Sequence, residues 1–148
     1  MLESAPLATP MAVKDISSNS EPVDATNLYA LSDADWASCT TTRKSITSFC
    51  TFLGTNCISW CAKKQPTMFH SSTEAEYRSM ASTITEITGL TFLLQDIGVP
   101  LAQPPHSFCD NISALYISVN PLFHSRSKHI ELDYHFVREK VAVGHLIT

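Results

Sequence analysis

The sequence is poor in charged residues and lacks the marks of several protein classes. Charged residues make up only 16% of its 148 positions but hydrophobic residues 44%, so we exclude wholesale disorder and expect one domain with a real core. No apolar run approaches the roughly 18 residues of a membrane span, and we expect no membrane partner. The start of the chain has no basic region and no uninterrupted apolar stretch, which indicates the absence of a signal peptide. A net charge of -4 is unlike a histone-like polyelectrolyte, although a local patch can still bind nucleic acid.

The cysteines do not form a recognisable framework. There are five of them, an odd number without tight spacing, so reduced and mostly buried thiols are expected. Such thiols predict an intracellular location, in the cytoplasm or alternatively in the nucleus. The histidines do not space like a zinc site with any cysteine, and no cysteine is paired with a base for nucleophilic catalysis.

The pattern divides the chain into two parts. Residues 1–26 combine prolines with four acidic residues against one lysine and have no regular period, which predicts a loosely ordered arm. Residues 27–148 carry the alternation of an α/β domain. The predicted elements are strands at 28–33, 45–53 and 57–61, a long helix within 71–97, a strand at 106–109, helices at about 111–119 and 130–141, and a last strand from 145. This order indicates three antiparallel strands and a further strand in a mixed sheet.

Carboxylates follow two of these strands and open the long helix. Asp33 ends the first strand and Asp110 the fourth, and parallel neighbours would bring both to the sheet edge where α/β proteins bind ligands. At 100° per residue, Glu76 falls on the apolar stripe one turn before Met80, whereas Glu74 points away from it. Three such carboxylates suit Mg²⁺ or Mn²⁺, as two ions that activate water at a phosphodiester. Spacing alone leaves open the alternative of solvated strand ends and helix caps.

Six stretches, in unbroken order over about residues 27–148, resemble one known family. They are LSDADWASC, TRKSITSFCTFLG, ISWCAKKQPT, SSTEAEYRSMA, CDNISALYISVNP and SKHIELDYHFVRE. Together they resemble the ribonuclease H domain of copia-type (LTR) retrotransposon Pol polyproteins. The resemblance implies a ribonuclease H-like fold, with three antiparallel strands plus a parallel strand flanked by helices. It also implies metal-dependent endonucleolytic hydrolysis of the RNA strand of RNA–DNA hybrids during reverse transcription, with the hybrid and the parent Pol polyprotein (reverse transcriptase) as partners.

The motif positions of that family fall on three carboxylates of this chain. Asp33 matches the aspartate of the first strand, Glu76 the glutamate of the long helix, and Asp110 the aspartate of the fourth strand. The resemblance therefore implies that these three are catalytic and hold Mg²⁺ or Mn²⁺ as two ions. Asp35 is a weaker second candidate on the first strand.

Two departures from the family pattern bear on activity. The family supplies a fourth carboxylate on a helix beyond the fifth strand, and the chain stops at Thr148 before it, so we expect an incomplete last strand and C-terminal helix. Glu131 and Asp133 are weaker candidates to replace that carboxylate. Residues 8–25 resemble part of the reverse transcriptase region, which makes the arm a remnant left by an internal deletion. The alternative function is thus a catalytically inactive remnant with at most residual nucleic-acid binding.

Basic residues predict how the hybrid would be held. Lys63 and Lys64 are expected in the loop before the long helix, and Arg126, Lys128 and His129 on a loop that flanks the same edge. Contacts from these residues to phosphates would be independent of base sequence and weakened by salt. The alternative for each is an ordinary solvated surface charge.

Overall fold

The computed structural model describes residues 26–119 and 131–142. In chain order the elements are β1 (Leu28–Asp35), β2 (Ile46–Leu53), β3 (Asn56–Lys64), α1 (Ser72–Asp96), β4 (His106–Cys109), α2 (Ile112–Val119) and α3 (Glu131–Ala142). None of these helices is long and apolar enough to cross a membrane.

The four strands form one mixed sheet in the order β3-β2-β1-β4. β1, β2 and β3 pair antiparallel, and the turn between β2 and β3 passes through Gly54, whose φ of +60° lies in the left-handed region that glycine adopts without steric cost. β4 runs parallel to β1, with Ser32 opposite Cys109 near the carboxyl ends of both strands. A parallel pair needs a long crossover connection, and α1 provides it.

The start and the end of α1 follow from its local sequence. The Ser71 hydroxyl accepts a hydrogen bond from the Glu74 backbone N–H at 3.2 Å, and the Glu74 carboxylate accepts one from the His70 N–H. These bonds satisfy donors that a helix start leaves without partners. Just beyond the helix, Gly98 has a φ of +77° and its N–H donates to the Gln95 carbonyl, which closes the last turn.

The core lies between the sheet and α1. Leu28 of β1 and Met80 and Ile84 of α1 are at most 1% exposed, and burial of each such side chain contributes about 1.5–3 kcal/mol. α2 and α3 also contact α1. Tyr77 stacks on Tyr134 of α3 with ring centroids 4.7 Å apart, so α3 is packed onto the turn of α1 that follows Glu76.

The α/β class and the mixed sheet with helices against it are confirmed and are consistent with a ribonuclease H-like fold. Two local predictions were wrong. Lys63 and Lys64 are the last residues of β3 rather than part of a loop, because β3 continues its pairing to the first residues of β2, with Lys64 opposite Ile46. β1 likewise runs on past Asp33 to Asp35. The predicted arm, except its last residue, and the predicted strand from 145 lie outside the described residues.

Candidate active site

Two of the predicted carboxylates lie at the carboxyl ends of the parallel strands. Asp33 directly follows Ser32, which pairs with Cys109, and Asp110 directly follows Cys109. The two aspartates are therefore level with each other on adjacent strands at one edge of the sheet. Asp33 is partly buried and Asp110 is exposed.

The third carboxylate comes from the first turns of α1. Ser79, one turn after Glu76, donates a 2.6 Å hydrogen bond to the backbone carbonyl of Asp33. The Gln65 side-chain amide donates to the Ala75 carbonyl at 3.0 Å and so fixes the start of the helix against the sheet. Sequence reasoning did not single out Ser79 or Gln65 as positioning residues. Their contacts place Glu76 over the edge that carries Asp33.

Glu76 is buried and incompletely satisfied. It is only 7% exposed, and its carboxylate accepts a hydrogen bond from the Ala34 backbone N–H. Its second oxygen, Oε2, is buried and has no hydrogen-bond partner among the described residues. A buried carboxylate oxygen without a donor is unfavourable, so this atom is available to a cation. Glu74 takes part in the cap instead, as the helical phase predicted.

Burial and neighbouring charges disfavour the charged forms of Glu76 and Asp33. Burial, followed by repulsion from Asp33 and Asp110, raises the pKa of Glu76 from 4.5 to about 7, against the opposing effect of the Ala34 N–H. Burial and then the charge of Asp110 also raise the pKa of Asp33. Asp35, exposed at the end of β1, adds a smaller repulsion to Asp33. The site thus accumulates negative charge that a cation would relieve.

A cysteine, and not Asp33, completes the tightest group of possible metal ligands. One donor atom from each of Glu76, Cys109 and Asp110 lies within 4.8 Å of the other two, and no other set of three such donors is found in residues 26–119 and 131–142. Burial is the main cause that raises the pKa of the Cys109 thiol to about 11. The expectation of mostly buried thiols was wrong, because Cys57 is exposed and the other four cysteines are only partly buried. Sequence reasoning did not distinguish Cys109 from the rest. Its position next to Asp110 at a strand end was the signal that it overlooked.

The weaker candidates on α3 lie in different surroundings. Asp133 forms a two-oxygen salt bridge with Arg78 of α1, with N–O distances of 2.5 and 2.7 Å. Its carboxylate is thereby engaged in holding α3 onto α1. Glu131 is exposed in the first turn of α3. The structure places neither residue in the tight donor group around Glu76.

The predicted basic residues are only partly within the described chain. Lys63 and Lys64 are exposed and lie at the same end of the sheet as Asp33, two strands away, which is roughly 10 Å at ordinary strand spacing. The Lys64 ammonium lies 3.1 Å from the Cys39 sulfur. Hydrogen bonds from Thr42, and then from Lys64, lower the pKa of that thiol to about 6. Arg126, Lys128 and His129 lie outside the described residues.

Known proteins are similar to this sequence over most of its length. The chain is 49% identical over 120 residues, or 81% of its length, to the retrovirus-related Pol polyprotein from transposon RE2 of Arabidopsis thaliana. It is 48% identical over 120 residues to the Pol polyprotein from transposon RE1 of the same plant, and 38% identical over 115 residues to that from transposon TNT 1-94 of Nicotiana tabacum. The chain belongs to the retrovirus-related Pol polyproteins of copia-type transposons.

The aligned segment is a small part of each of these Pol polyproteins. It spans 8% of the length of all three relatives, although it covers 77–81% of this chain. The homology supports a retrotransposon-derived protein. No protein-family model matches the chain, and no solved structure matches it significantly.

Proposed function

We propose that this chain is a ribonuclease H domain of copia-type Pol that hydrolyses the RNA strand of RNA–DNA hybrids during reverse transcription. The observation that carries the proposal is that Asp33 and Asp110 lie level at the carboxyl edge of two parallel strands, with the buried carboxylate of Glu76 close to both. Each comes from a different segment, and burial, followed by repulsion from neighbouring carboxylates, raises the pKa values of Asp33 and Glu76. This edge is where open α/β sheets bind their ligands.

The donor set fits Mg²⁺ or Mn²⁺. Carboxylate oxygens are the ligands these ions prefer, and Glu76 Oε2 is a buried oxygen without a partner in the described residues. Asp33, Glu76 and Asp110 would hold the ions, with Asp35 at the margin. When bound, two such ions would neutralise the charge on the attacking and leaving oxygens of a phosphodiester. The protein contributes the fixed placement of the three carboxylates and the buried surroundings of Glu76.

Basic residues outside the carboxylate site would hold the proposed substrate. Lys63 and Lys64 are exposed at the same end of the sheet and are suited to phosphate contact. Arg126, Lys128 and His129 complete the proposed surface from the sequence. Selection of RNA over DNA would rest on 2′-hydroxyl contacts and on the shape of the hybrid. We place the activity inside the cell, in the cytoplasm or alternatively in the nucleus, as part of Pol.

One observation favours a second candidate, a catalytically inactive remnant that at most binds nucleic acid. In residues 26–119 and 131–142 the tight donor group around Glu76 contains no carboxylate besides that of Asp110, and Asp133 is engaged by Arg78. Loss of one metal ligand would lower the rate by orders of magnitude without abolishing phosphate binding. The two candidates differ in one measurable property, which is cleavage.

The test is cleavage of a labelled RNA–DNA hybrid by the full chain in Mg²⁺ and then in Mn²⁺. Asp110→Asn should abolish cleavage. Asp96→Asn is the matched control, because Asp96 is exposed at the far end of α1, about 30 Å along the helix from Glu76, and should cleave normally. Single-stranded RNA and duplex DNA should remain intact. A folded wild-type chain without cleavage in either metal would refute the enzyme and support the remnant.

A further inference from the structure

The sulfur atom of Cys109 has no role in the proposed hydrolysis, yet it lies within the carboxylate group. Its Sγ and one oxygen each of Glu76 and Asp110 are all within 4.8 Å of one another. We propose that these three residues form a mixed oxygen–sulfur site for a thiophilic divalent cation such as Zn²⁺ or Cd²⁺. The site is distinct in its chemistry from the all-carboxylate set of Asp33, Glu76 and Asp110.

The unpartnered oxygen of Glu76, which also supports the proposed Mg²⁺ site, points to a cation at this position. Glu76 is 93% buried, since its exposed fraction is 7%, and its Oε2 has no hydrogen-bond partner in the described residues. Buried polar atoms in native proteins nearly always have a partner. A cation bound beside Cys109 and Asp110 would provide one. In the structure, this oxygen accepts no hydrogen bond from the Cys109 thiol or from the Asp110 carboxyl group.

The distances suit a single small ion. Zn–S bonds are about 2.3 Å and Zn–carboxylate bonds about 2.0–2.2 Å, so two donors on one tetrahedral ion lie about 3.6 Å apart. The donors of the observed group all lie within 4.8 Å of one another, and rotations of the three side chains by about 1 Å at the donor atoms would close them on an ion. Three protein donors leave a fourth position for water, as in open zinc sites. When the metal–sulfur bond forms, the thiol proton leaves to solvent.

The sulfur makes the site selective by donor type. Thiolate ligands favour Zn²⁺ and Cd²⁺, whereas Mg²⁺ binds through oxygen and gains little from a sulfur donor. Removing the sulfur should therefore weaken Cd²⁺ binding and leave Mg²⁺ binding through the carboxylates. Because Glu76 and Asp110 belong to both sets, a thiophilic ion and Mg²⁺ exclude each other. This last consequence, inhibition of cleavage by Zn²⁺ or Cd²⁺, rests on the proposed function; the binding itself does not.

The direct test is titration of the full chain with Cd²⁺. Binding is monitored through the ultraviolet charge-transfer absorption of a cadmium–thiolate bond. Cys109→Ser should weaken Cd²⁺ binding at least about tenfold, since even outer-shell partners of metal ligands are worth about 10–100-fold. Cys61→Ser, at a partly buried cysteine of β3, is the matched control and should leave the titration unchanged. Excess Mg²⁺ should compete with Cd²⁺. An unchanged titration in Cys109→Ser overturns the proposal.

Glu76→Gln separates a built site from a lone thiol, because it keeps the sulfur and removes one anionic donor. It should also weaken Cd²⁺ binding about tenfold, and an unchanged affinity would mean that Cys109 binds Cd²⁺ without the carboxylates, which contradicts the proposal. A second measurement uses only the wild-type chain, in case a variant fails to fold. One equivalent of Cd²⁺ should slow alkylation of Cys109 by N-ethylmaleimide, mapped by mass spectrometry, but not alkylation of Cys61; equal rates with and without Cd²⁺ overturn the proposal.

The cleavage assay keeps this inference separate from the proposed function. Cd²⁺ binding at Cys109 in a chain that does not cleave in Mg²⁺ supports the inference and refutes the hydrolase. Cleavage in Mg²⁺ without Cd²⁺ binding at Cys109 supports the hydrolase and refutes the inference.

Discussion

Replacing Glu76 by glutamine should stabilise the metal-free protein at high pH. Burial and the charges of Asp33 and Asp110 raise the pKa of Glu76 from 4.5 to about 7 in the folded state. Each pKa unit corresponds to about 1.4 kcal/mol, so ionisation of Glu76 destabilises the fold by at most about 3.5 kcal/mol. Glutamine has nearly the same shape and no charge. Without metal, Glu76→Gln should therefore be more stable than the wild type wherever Glu76 would be ionised.

The pH dependence follows from the sign of the shift. The folded state binds the proton more tightly than the unfolded state, so the contribution of Glu76 to stability is fully present below pH 4.5 and is lost as the pH rises through about 7. The wild type and Glu76→Gln should thus be similarly stable at pH 4 and differ most at pH 8. Urea unfolding in the presence of EDTA, followed by circular dichroism, measures both free energies of unfolding.

Two controls sharpen this experiment. Glu139→Gln removes an exposed carboxylate of α3 and should not reproduce the effect. Mg²⁺ or Mn²⁺ should reduce the difference in stability between the wild type and Glu76→Gln at pH 8, because a bound cation compensates the negative charge of Glu76. A difference between the wild type and Glu76→Gln that does not change with pH, or a variant less stable than the wild type at pH 8 without metal, would refute the electrostatic reasoning.

Three further predictions concern the surroundings of the site. Ser71→Ala should destabilise the fold by about 1 kcal/mol in urea unfolding, because the start of α1 loses the hydroxyl that accepts from the Glu74 N–H. Tyr77→Phe should stabilise the fold by about 1 kcal/mol in the same assay, since the buried Tyr77 hydroxyl has no partner in the described residues; a clear loss of stability would reveal one. Arg78→Met and Asp133→Asn should show a coupling of about 1–2 kcal/mol in a double-mutant cycle, and strict additivity would contradict the salt bridge.

Much of the fold could be predicted because its signals are local. The change from alternating residues to helical spacing near residue 71 marks the end of the hairpin and the start of α1, and Ser71 and Gly98 mark the helix ends. Helical phase alone distinguishes Glu76 from Glu74. The limit of such reasoning is visible at Lys63 and Lys64, whose charges suggested a loop although pairing with β2 extends the strand over them.

The remaining features depend on contacts between distant segments. Cys109 lies beside Glu76 for two reasons. The pairing of β4 with β1 brings Cys109 to the edge of the sheet, and the packing of α1 over that edge brings Glu76 to it. Neither is encoded in the residues next to Cys109. The engagement of Asp133 by Arg78 likewise depends on how α3 packs, which a short charged motif does not reveal. Prediction from sequence therefore reached the three carboxylates but not the sulfur and the salt bridge around them.

The parallel pairing of β4 with β1 has a consequence for the order of folding. β1, β2 and β3 can form as local hairpins, whereas Ser32 and Phe108, joined by a hydrogen bond, are 76 positions apart. Such distant contacts close slowly relative to hairpins. Asp110 and Cys109 reach Glu76 only after that closure, so a refolding chain should recover its circular dichroism before it acquires the capacity to bind Cd²⁺ or Mg²⁺. Metal binding would then act as a kinetic marker for the last step of assembly.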